Sequence, residues 1–524
     1  MRKRHTKAAM MAAVAVLSAA LAAGACGAPG KENGGQENGG QTGSSQSSEA
    51  AVGGVEKPEK ITIMVDGTFQ ATKANGQDEW VEKWEELTGI ELEVIQPDHD
   101  AYYDVLGQTF ASGPENWPDV VLLGNTHYAG YAAAGALWDM TDAWENSSMA
   151  QDPEVKKGVV EGNMLDGRLY GLPLESGGGC ITYIRQAWLD NCGLEAPTTY
   201  EEYLQVLDAF TNGDPDGDGV NGNTVGVSAA GFVAKEAPYT NYLPEFYQDA
   251  YPSFYQKDNG EWVDGFTEDA MKDAIRRLQD AYQKGYIDKE SLTNATSNCR
   301  TKFGEGQFGV FTYWANSWAD DLHAALENNN LDGELTAIPP IAELGQYWER
   351  IPASYAITAS CKNPEGVFKY FLESIFDNGD MQRLWIYGVE DVHWSTKAET
   401  VLGNTYEEGQ FHMLEKMDQP GVQGSTINTS QVDSILPMKD DPGADTVGPE
   451  TKEASKAFYS ACKMAPQLAA TDAMSQYNGD LITLKNSIIA DCIVQGLSVE
   501  EGYSRFERDG GAEWSKAIVD SLNQ

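Results

Sequence analysis

Between Lys60 and Ile95 an alternating apolar strand, an amphipathic helix and a second strand follow one another, and that order restricts the fold more than any other feature of the chain. Lys60-Ile61-Thr62-Ile63-Met64-Val65 sets apolar side chains at every second position and ends at Asp66-Gly67. Over residues 78–88, Trp80, Val81, Trp84 and Leu87 share one helical face, and Gly89 supplies the stop. Residues 91–95 read as the next strand. Two strands joined through a helix lie parallel, so the chain opens a parallel sheet with a crossover helix. A second unit follows at once, with a helix over 102–110, a break at Ser112-Gly113 and a buried strand over 118–124. The residues after that strand, Asn125, Thr126 and His127, stand where open α/β sheets hold their ligands.

Further on, Gly167-Arg168-Leu169-Tyr170-Gly171-Leu172-Pro173-Leu174 is a short apolar run behind the turn-forming Asp166-Gly167. Proline removes a ladder hydrogen bond from a central strand, so Pro173 marks an edge or an exit. Glu175, Ser176 and Gly177 to Gly179 come next; the glycines are expected to form close-approach backbone beside a bound molecule. The other reading of these residues is an ordinary edge strand and turn.

The chain has 524 residues, enough for two or three domains, and a formal charge of −44. That field repels nucleic acid and anionic surfaces and favours neutral or cationic partners and divalent cations; an acid surface that only keeps a secreted protein soluble accounts for it equally. Arg2, Lys3, Arg4 and Lys7 precede an alanine-rich apolar run over 8–23, the pattern of a secretion signal over 1–25. Ala23-Gly24-Ala25-Cys26 closes it and resembles a lipobox, although the leucine lies two positions early; ordinary signal peptidase cleavage at the same A-x-A site is the alternative. Lipidation at Cys26 is the expectation, because residues 26–58 are rich in Gly, Ser, Gln, Asn and Glu and read as a flexible tether. Loss of residues 1–25 removes four positive charges and no negative one, taking the formal charge to −48.

Cys180, Cys192, Cys299, Cys361, Cys462 and Cys492 lie in no metal or redox spacing and are read as buried thiols or up to three disulfides. The sharpest motif is Asp214-Pro215-Asp216-Gly217-Asp218-Gly219-Val220-Asn221-Gly222-Asn223. Acids at positions 1, 3 and 5, glycine at 6 and a carbonyl from Val220 at 7 match the start of a Ca²⁺ loop. Position 12 is Val225 where an EF-hand closes with glutamate; similar loops close near position 9, and that resemblance implies Asn223, next to Gly222 at position 9, as the closing ligand. Any Ca²⁺ here is structural; a solvated acidic turn is the competing reading.

The cluster Phe311-Thr312-Tyr313-Trp314-Ala315-Asn316-Ser317-Trp318 joins aromatic faces to amide groups, the chemistry that holds the C–H face and hydroxyl rim of a sugar. Inside a helix, Trp314 and Trp318 would instead form one core stripe. With this cluster in place, several segments resemble the extracellular solute-binding proteins of ABC importers, family 1, maltose-binding-like and closest to an oligosaccharide-type lipoprotein subgroup. The segments are "ASG…WPDVVLLGN", "GALWDMT", "GRLYGLPLESGGGCITYIRQAWLDNCGLEAPTTYEEYLQVL", "GQFGVFTYWANSW", "YAITASCKNPEGVFKYFL", "YGVEDVHW" and "DCIVQGLSVEEGYSRF", in that order.

The resemblance implies an α/β, two-lobed, type II periplasmic-binding-protein-like fold, each lobe a mixed sheet flanked by helices and joined by crossing segments. Its lobes are expected over 59–173 with 355–395, and over 174–354 with 396–524. It implies ligand contacts from Trp314, Trp318, Asn316, Glu175, Asn125, His127, Thr68, Trp394 and Glu390. It further implies a non-catalytic, monomeric carbohydrate-binding lipoprotein on the outer face of the membrane, working with an ABC permease. The family often has glycine where this chain has Asp391, which puts the local backbone there in question. An extracellular glycoside hydrolase, which needs only two spaced carboxylates, and a sugar receptor for a membrane kinase are the alternatives.

Overall fold

In this computed structural model the described residues are 54–66, 72–98, 101–232, 243–246, 250–401, 403–414, 433–444, 447–465, 467–469 and 471–524. The expected signal segment, Cys26, most of the tether and Thr68 lie outside them, as does the side chain of Asn125.

The first strands are β1 (Lys60–Met64), β2 (Glu91–Ile95), β3 (Val120–Leu123) and β4 (Leu172–Pro173). The helix Gln77–Thr88 joins β1 to β2 and ends at Gly89, whose φ of 65° opens the left-handed turn a side chain resists. It buries Trp80 and Trp84; Trp80 meets Trp385 edge-on at 5.2 Å and donates from its indole to the Leu384 carbonyl at 3.1 Å. β1 pairs parallel with β2 and β3, as the β-α-β pattern requires.

The chain then builds a second sheet from β5 (Cys180–Arg185) and β6 (Val225–Val227), followed by a hairpin of β7 (Phe254–Gln256) and β8 (Trp262–Asp264). β9 (Phe308–Trp314) and β10 (Leu335–Ile338) complete it in the order β10-β5-β9-β6. β11 (Tyr347–Glu349) leads into β12 (Ser354–Ile357), which returns to the first sheet and pairs antiparallel with β3 and β4. The first sheet thus reads β2-β1-β3-β12-β4, with Pro173 on its edge strand. Of the run 167–174 only two residues pair as strand. Leu169, Leu172 and Leu174 still enter the first core.

Each sheet has its own apolar core, one around Ile61, Trp84, Leu172 and Trp385, the other around Tyr183, Trp188, Phe210, Phe303 and Phe458. β13 (Trp394–Ser395) pairs with β16 (His412–Met413), β14 (Glu399–Val401) with β15 (Asn404–Tyr406), and β17 (Cys462–Met464) with β11. One boundary is corrected. Phe411 and Met413, and further on Ile435, Leu436 and Met438, pack with the first core, not the second, because β16 pairs with β13, the Ile435 N–H donates to the Leu174 carbonyl at 3.0 Å and the Tyr387 hydroxyl donates to Asp441 at 2.7 Å.

Two passes of chain, over 174–179 and 349–353, therefore run side by side between the sheets, and a third segment, over 433–438, lies along the first of them at the edge of the first core. Glu175 bridges Ser434, the Ser176 N–H donates to the Asp433 carbonyl at 2.6 Å, and the Arg350 N–H donates to the Gly178 carbonyl at 3.0 Å.

Candidate functional site at the chain crossings

The three glycines after Glu175 fit this bundle of crossings. A Cβ on Gly177 would stand 1.7 Å from the Arg350 carbonyl oxygen, and one on Gly179 would stand 2.3 Å from that of Trp348. Their close approach is to the second crossing and not to a bound molecule, which corrects the expectation. Gly178 alone is in the left-handed region, at φ 64°, with the Asn316 amide and the Tyr459 hydroxyl 4.0 Å from where a Cβ would be.

Each of these three segments brings one carboxylate: Glu175, Glu349 and Asp433. Lys156, just before the helix Lys157–Gly162, and Arg350 face them. Glu349 Oε1 accepts from the Gly177 N–H at 3.0 Å, and Asp433 Oδ1 accepts from the Tyr459 hydroxyl at 2.7 Å. Lys156 Nζ lies 3.3 Å from Ser176 Oγ and 5.4 Å from the centre of the Tyr459 ring. Burial pushes Glu175 well above the usual carboxylate range, and the neighbouring Asp433 adds to it. Burial likewise raises Asp433 and Glu349 and lowers Lys156. Lys156, Ser176, Glu349, Tyr459 and Cys462 line a cavity of about 490 Å³, the size range of small-molecule sites.

Trp314 joins this group from the second sheet. It is the last residue of β9, paired with Cys180, and the Arg350 guanidinium lies 4.6 Å from its ring centre. Trp318 starts the helix Trp318–Asn328, so the two tryptophans do not form one helical stripe. Arg300 covers Trp318 at 4.4 Å and Tyr313 meets it edge-on at 5.4 Å. Asn316, between them, has a buried Oδ1 without a hydrogen-bond partner.

The other described candidates stand on the first lobe, His127 in the first turn of the helix Asn125–Ala133 and Trp394 in β13. His127 stacks on Tyr103 with ring centres 3.8 Å apart, and burial lowers its pKa. Glu390 is exposed, whereas Trp394 is 8% exposed, stacks on Phe411 at 5.0 Å and donates to the Gly388 carbonyl. Asp391 adopts a φ of 63°, which explains why glycine suits that position. Next to it, His393 accepts the Val389 N–H on Nδ1 and holds the Asn75 carbonyl at 2.6 Å on Nε2, anchoring this segment to the loop after β1.

In the acidic turn, carboxylate oxygens of Asp214, Asp216 and Asp218 lie within 4.8 Å of one another. Gly217, Gly219 and Gly222 supply positive φ angles, and Asp214 Oδ1 has no hydrogen-bond partner. Burial and Asp218 push Asp216 upward. Three converging hard oxygens with one orphaned atom fit Ca²⁺. Asn223 donates its amide to Asp218 Oδ2 at 2.8 Å, so it presents a donor where a closing ligand would present oxygen.

Residues 69–372 match the profile of the bacterial extracellular solute-binding proteins. The chain belongs to that family. This solute-binding protein is 24% identical over 242 residues to the polygalacturonan/rhamnogalacturonan-binding protein YtcQ of Bacillus subtilis, covering 45% of this chain and 46% of the other. It is 26% identical over 249 residues to lipoprotein LipO of the same species, 46% and 48% of the two chains. It thus spans about half the length of these relatives. Its fold matches that of the S. pneumoniae ABC-transporter substrate-binding protein FusA EF-hand mutant in complex with fructo-nystose. The TM-score is 0.56 at 15% identity, over 89% of this chain and 99% of that one. The two-lobed type II architecture is therefore the fold.

The solute-binding protein's crossings hold groups that sequence reasoning missed: Lys156, Glu349, Arg350, Asp433 and Tyr459. They come from four stretches spread over some 300 residues, and no spacing links one stretch to the next; the trace they leave is apolar flanks, Arg350-Ile351-Pro352 and Asp433-Ser434-Ile435-Leu436. All six cysteines after residue 26 are free thiols, so the disulfide option is closed. Among the described residues no helix is long and apolar enough to cross a membrane.

Proposed function

We propose that this solute-binding protein is the extracellular capture component of an ABC importer, that its ligand is a carbohydrate, and that it is an oligosaccharide. It binds without catalysis, acts as a monomer and is anchored through a lipid on Cys26. The observation that supports the reading is the junction of the two sheets, where the Trp314 ring lies under Arg350, the Asn316 amide stands near Gly178 and an open cavity begins beside Ser176. Amide and carboxylate groups with an aromatic face suit a polyhydroxylated ring. The ligands for which YtcQ is named and with which FusA is complexed support a sugar, and LipO, a lipoprotein, supports the anchor.

Narrow passes permit rotation of one lobe, 59–173 with 355–414 and 433–443, against the other, 174–354 with 447–524. A ligand that touches both lobes favours the closed form by its extra contacts there, and the permease reads that form. His127, Asn125, Thr68, Glu390 and Trp394 supply first-lobe contacts; Trp314, Asn316 and Trp318 supply those of the second. Asp214, Asp216, Asp218 and the Val220 carbonyl hold a structural Ca²⁺, with Asn223 turning its amide oxygen inward, a reading the EF-hand named in the FusA structure supports.

Incubating the protein with oligosaccharides tests the reading. Stoichiometric binding with a raised melting temperature is expected; turnover of the sugar would replace the binding reading with a hydrolase.

A further inference from the structure

The cations around the aromatic cluster bear on which sugars the protein takes, and the inference rests on the carbohydrate reading above. Two arginines stand over the tryptophans of the cluster. The Arg350 guanidinium carbon lies 4.6 Å from the centre of the Trp314 ring, and that of Arg300, on the helix Thr296–Gly304, lies 4.4 Å from the centre of the Trp318 ring. Arg300 donates from Nη1 to the Tyr313 hydroxyl at 2.8 Å, and Arg350 donates from Nε to the Gly177 carbonyl. A ring under a guanidinium holds it by the cation–π attraction and consumes none of its N–H donors.

In a chain whose formal charge is −44, an arginine without a carboxylate is the exception. Arg168, Arg276, Arg383, Arg505 and Arg508 each pair with an aspartate or glutamate at 2.6–3.0 Å. Arg300 and Arg350 make no ion pair, although Asp321 faces the first and Glu175 and Asp433 face the second. Their remaining N–H donors have no hydrogen-bond partner and are not sealed from solvent, and both side chains are half-buried, as are Trp314, Asn316 and Trp318. Arg185 shows the contrast: it is 3% exposed, and its Nε and Nη1 are enclosed without a partner. Arg277, also without an ion pair, lies over Tyr200, whose hydroxyl donates to Glu245.

A carboxylate brought by the ligand would be the acid that Arg300 and Arg350 lack. Its two oxygens match the guanidinium fork, and such a charge-assisted pair is stronger than a hydroxyl contact. A uronate ring offers a C–H face for an indole and a carboxylate on its rim for the neighbouring guanidinium, while the unpartnered Oδ1 of Asn316 can accept from a hydroxyl. Burial raises Asp321, Glu175 and Asp433, which disfavours the charge that would oppose an incoming carboxylate, and Asp433 already holds the Tyr459 hydroxyl. The acid surface elsewhere acts weakly here, because its field is screened within roughly 8 Å at physiological salt.

We propose that the site is built for acidic oligosaccharides, uronates whose carboxylates pair with Arg300 and Arg350 while their rings lie against Trp318 and Trp314. The two arginines are its specificity-determining residues.

Calorimetry on the mature chain at neutral pH tests this with oligogalacturonates and oligomannuronates, their methyl esters, and neutral galacto- and manno-oligosaccharides of the same lengths. At least one uronate should bind roughly tenfold or more tighter than its ester and its neutral counterpart, and that preference should shrink as salt rises from about 50 to about 500 mM. Arg300→Gln should narrow the gap between acid and ester, and so should Arg350→Gln; the first serves alone if the second does not fold. A neutral sugar or ester bound as tightly as the best uronate overturns the proposal and leaves the carbohydrate reading standing. A uronate preference that survives in the variants overturns the assignment to these arginines. Binding of neither class overturns the carbohydrate reading, and the proposal falls with it.

Discussion

The crossings and the acidic turn both concentrate carboxylates, and they differ in almost everything else. In the turn, three aspartates lie within five residues, exposed or half-buried, and their oxygens converge through local backbone geometry. At the crossings, Glu175, Glu349 and Asp433 are far apart in sequence, shielded from water and mixed with Lys156, Arg350 and Tyr459. A local cluster answers to a small ion and can be lost with little effect on the rest. A cluster assembled from the segments that join two lobes is coupled to folding, to hinge motion and to what lies between the lobes.

The comparison breaks most sharply at the glycines. Gly177→Ala should destabilise the protein by about 3 kcal/mol, the upper end of overpacking, because its Cβ meets a carbonyl that cannot move without shifting the second crossing. Gly219→Ala, in the acidic turn with open space around it and a φ of 85°, should cost about 1 kcal/mol. Equal losses in denaturant titrations would erase the distinction.

Ligand binding is the next difference. Trp314→Ala should leave the melting temperature nearly unchanged and weaken sugar binding tenfold or more, roughly 1.4 kcal/mol. Asp214→Asn with Asp218→Asn should leave affinity as it is. Calorimetry on both variants decides, and a loss of affinity in the second would tie the turn to the site.

Titration separates the two regions by sign. Asp433 has its pKa raised on folding, so its favourable contribution is complete below the ordinary carboxylate value and fades as pH rises through the raised one. Wild type and Asp433→Asn should therefore match in stability at acid pH, and wild type should fall behind the variant as pH increases. Urea midpoints across that range check it, and the reverse trend would mean that Lys156 and Arg350 outweigh burial. The smallest effect belongs to metal: Ca²⁺ should raise the wild-type melting temperature by about 2 °C, the response of a large protein to roughly 1 kcal/mol. Chelator should abolish that shift without abolishing sugar binding; no shift would mean that the turn holds no ion.

Much of the architecture was readable from neighbouring residues. Trp80 and Trp84 on one helical face, Gly89 at the stop, and the alternation of Ile61 and Ile63 define elements through contacts no more than a few positions apart. Pro173 announced an edge strand for the same reason. The aromatic run at 311–318 was legible as chemistry, whereas its secondary structure was not, since two tryptophans four residues apart suit a helix as well as a strand end followed by a helix.

The long-range parts behaved otherwise. Residues 435–438 look like any apolar loop until the first core is seen to take them, and Gly177 to Gly179 look like a ligand-facing turn until the Trp348 and Arg350 carbonyls are found against them. Trp394 has the composition of a binding residue, and only packing against Phe411 shows how little of it reaches solvent.

By itself the amino-acid order determined the parallel opening of the first sheet, the family and the acidic turn, because periodicity, caps and clustered ligands act over short stretches of chain. The tertiary structure alone decided which charges meet at the crossings. Burial and pairing there depend on segments that fold to one place, and no spacing along the chain records that Glu175, Arg350 and Asp433 become neighbours.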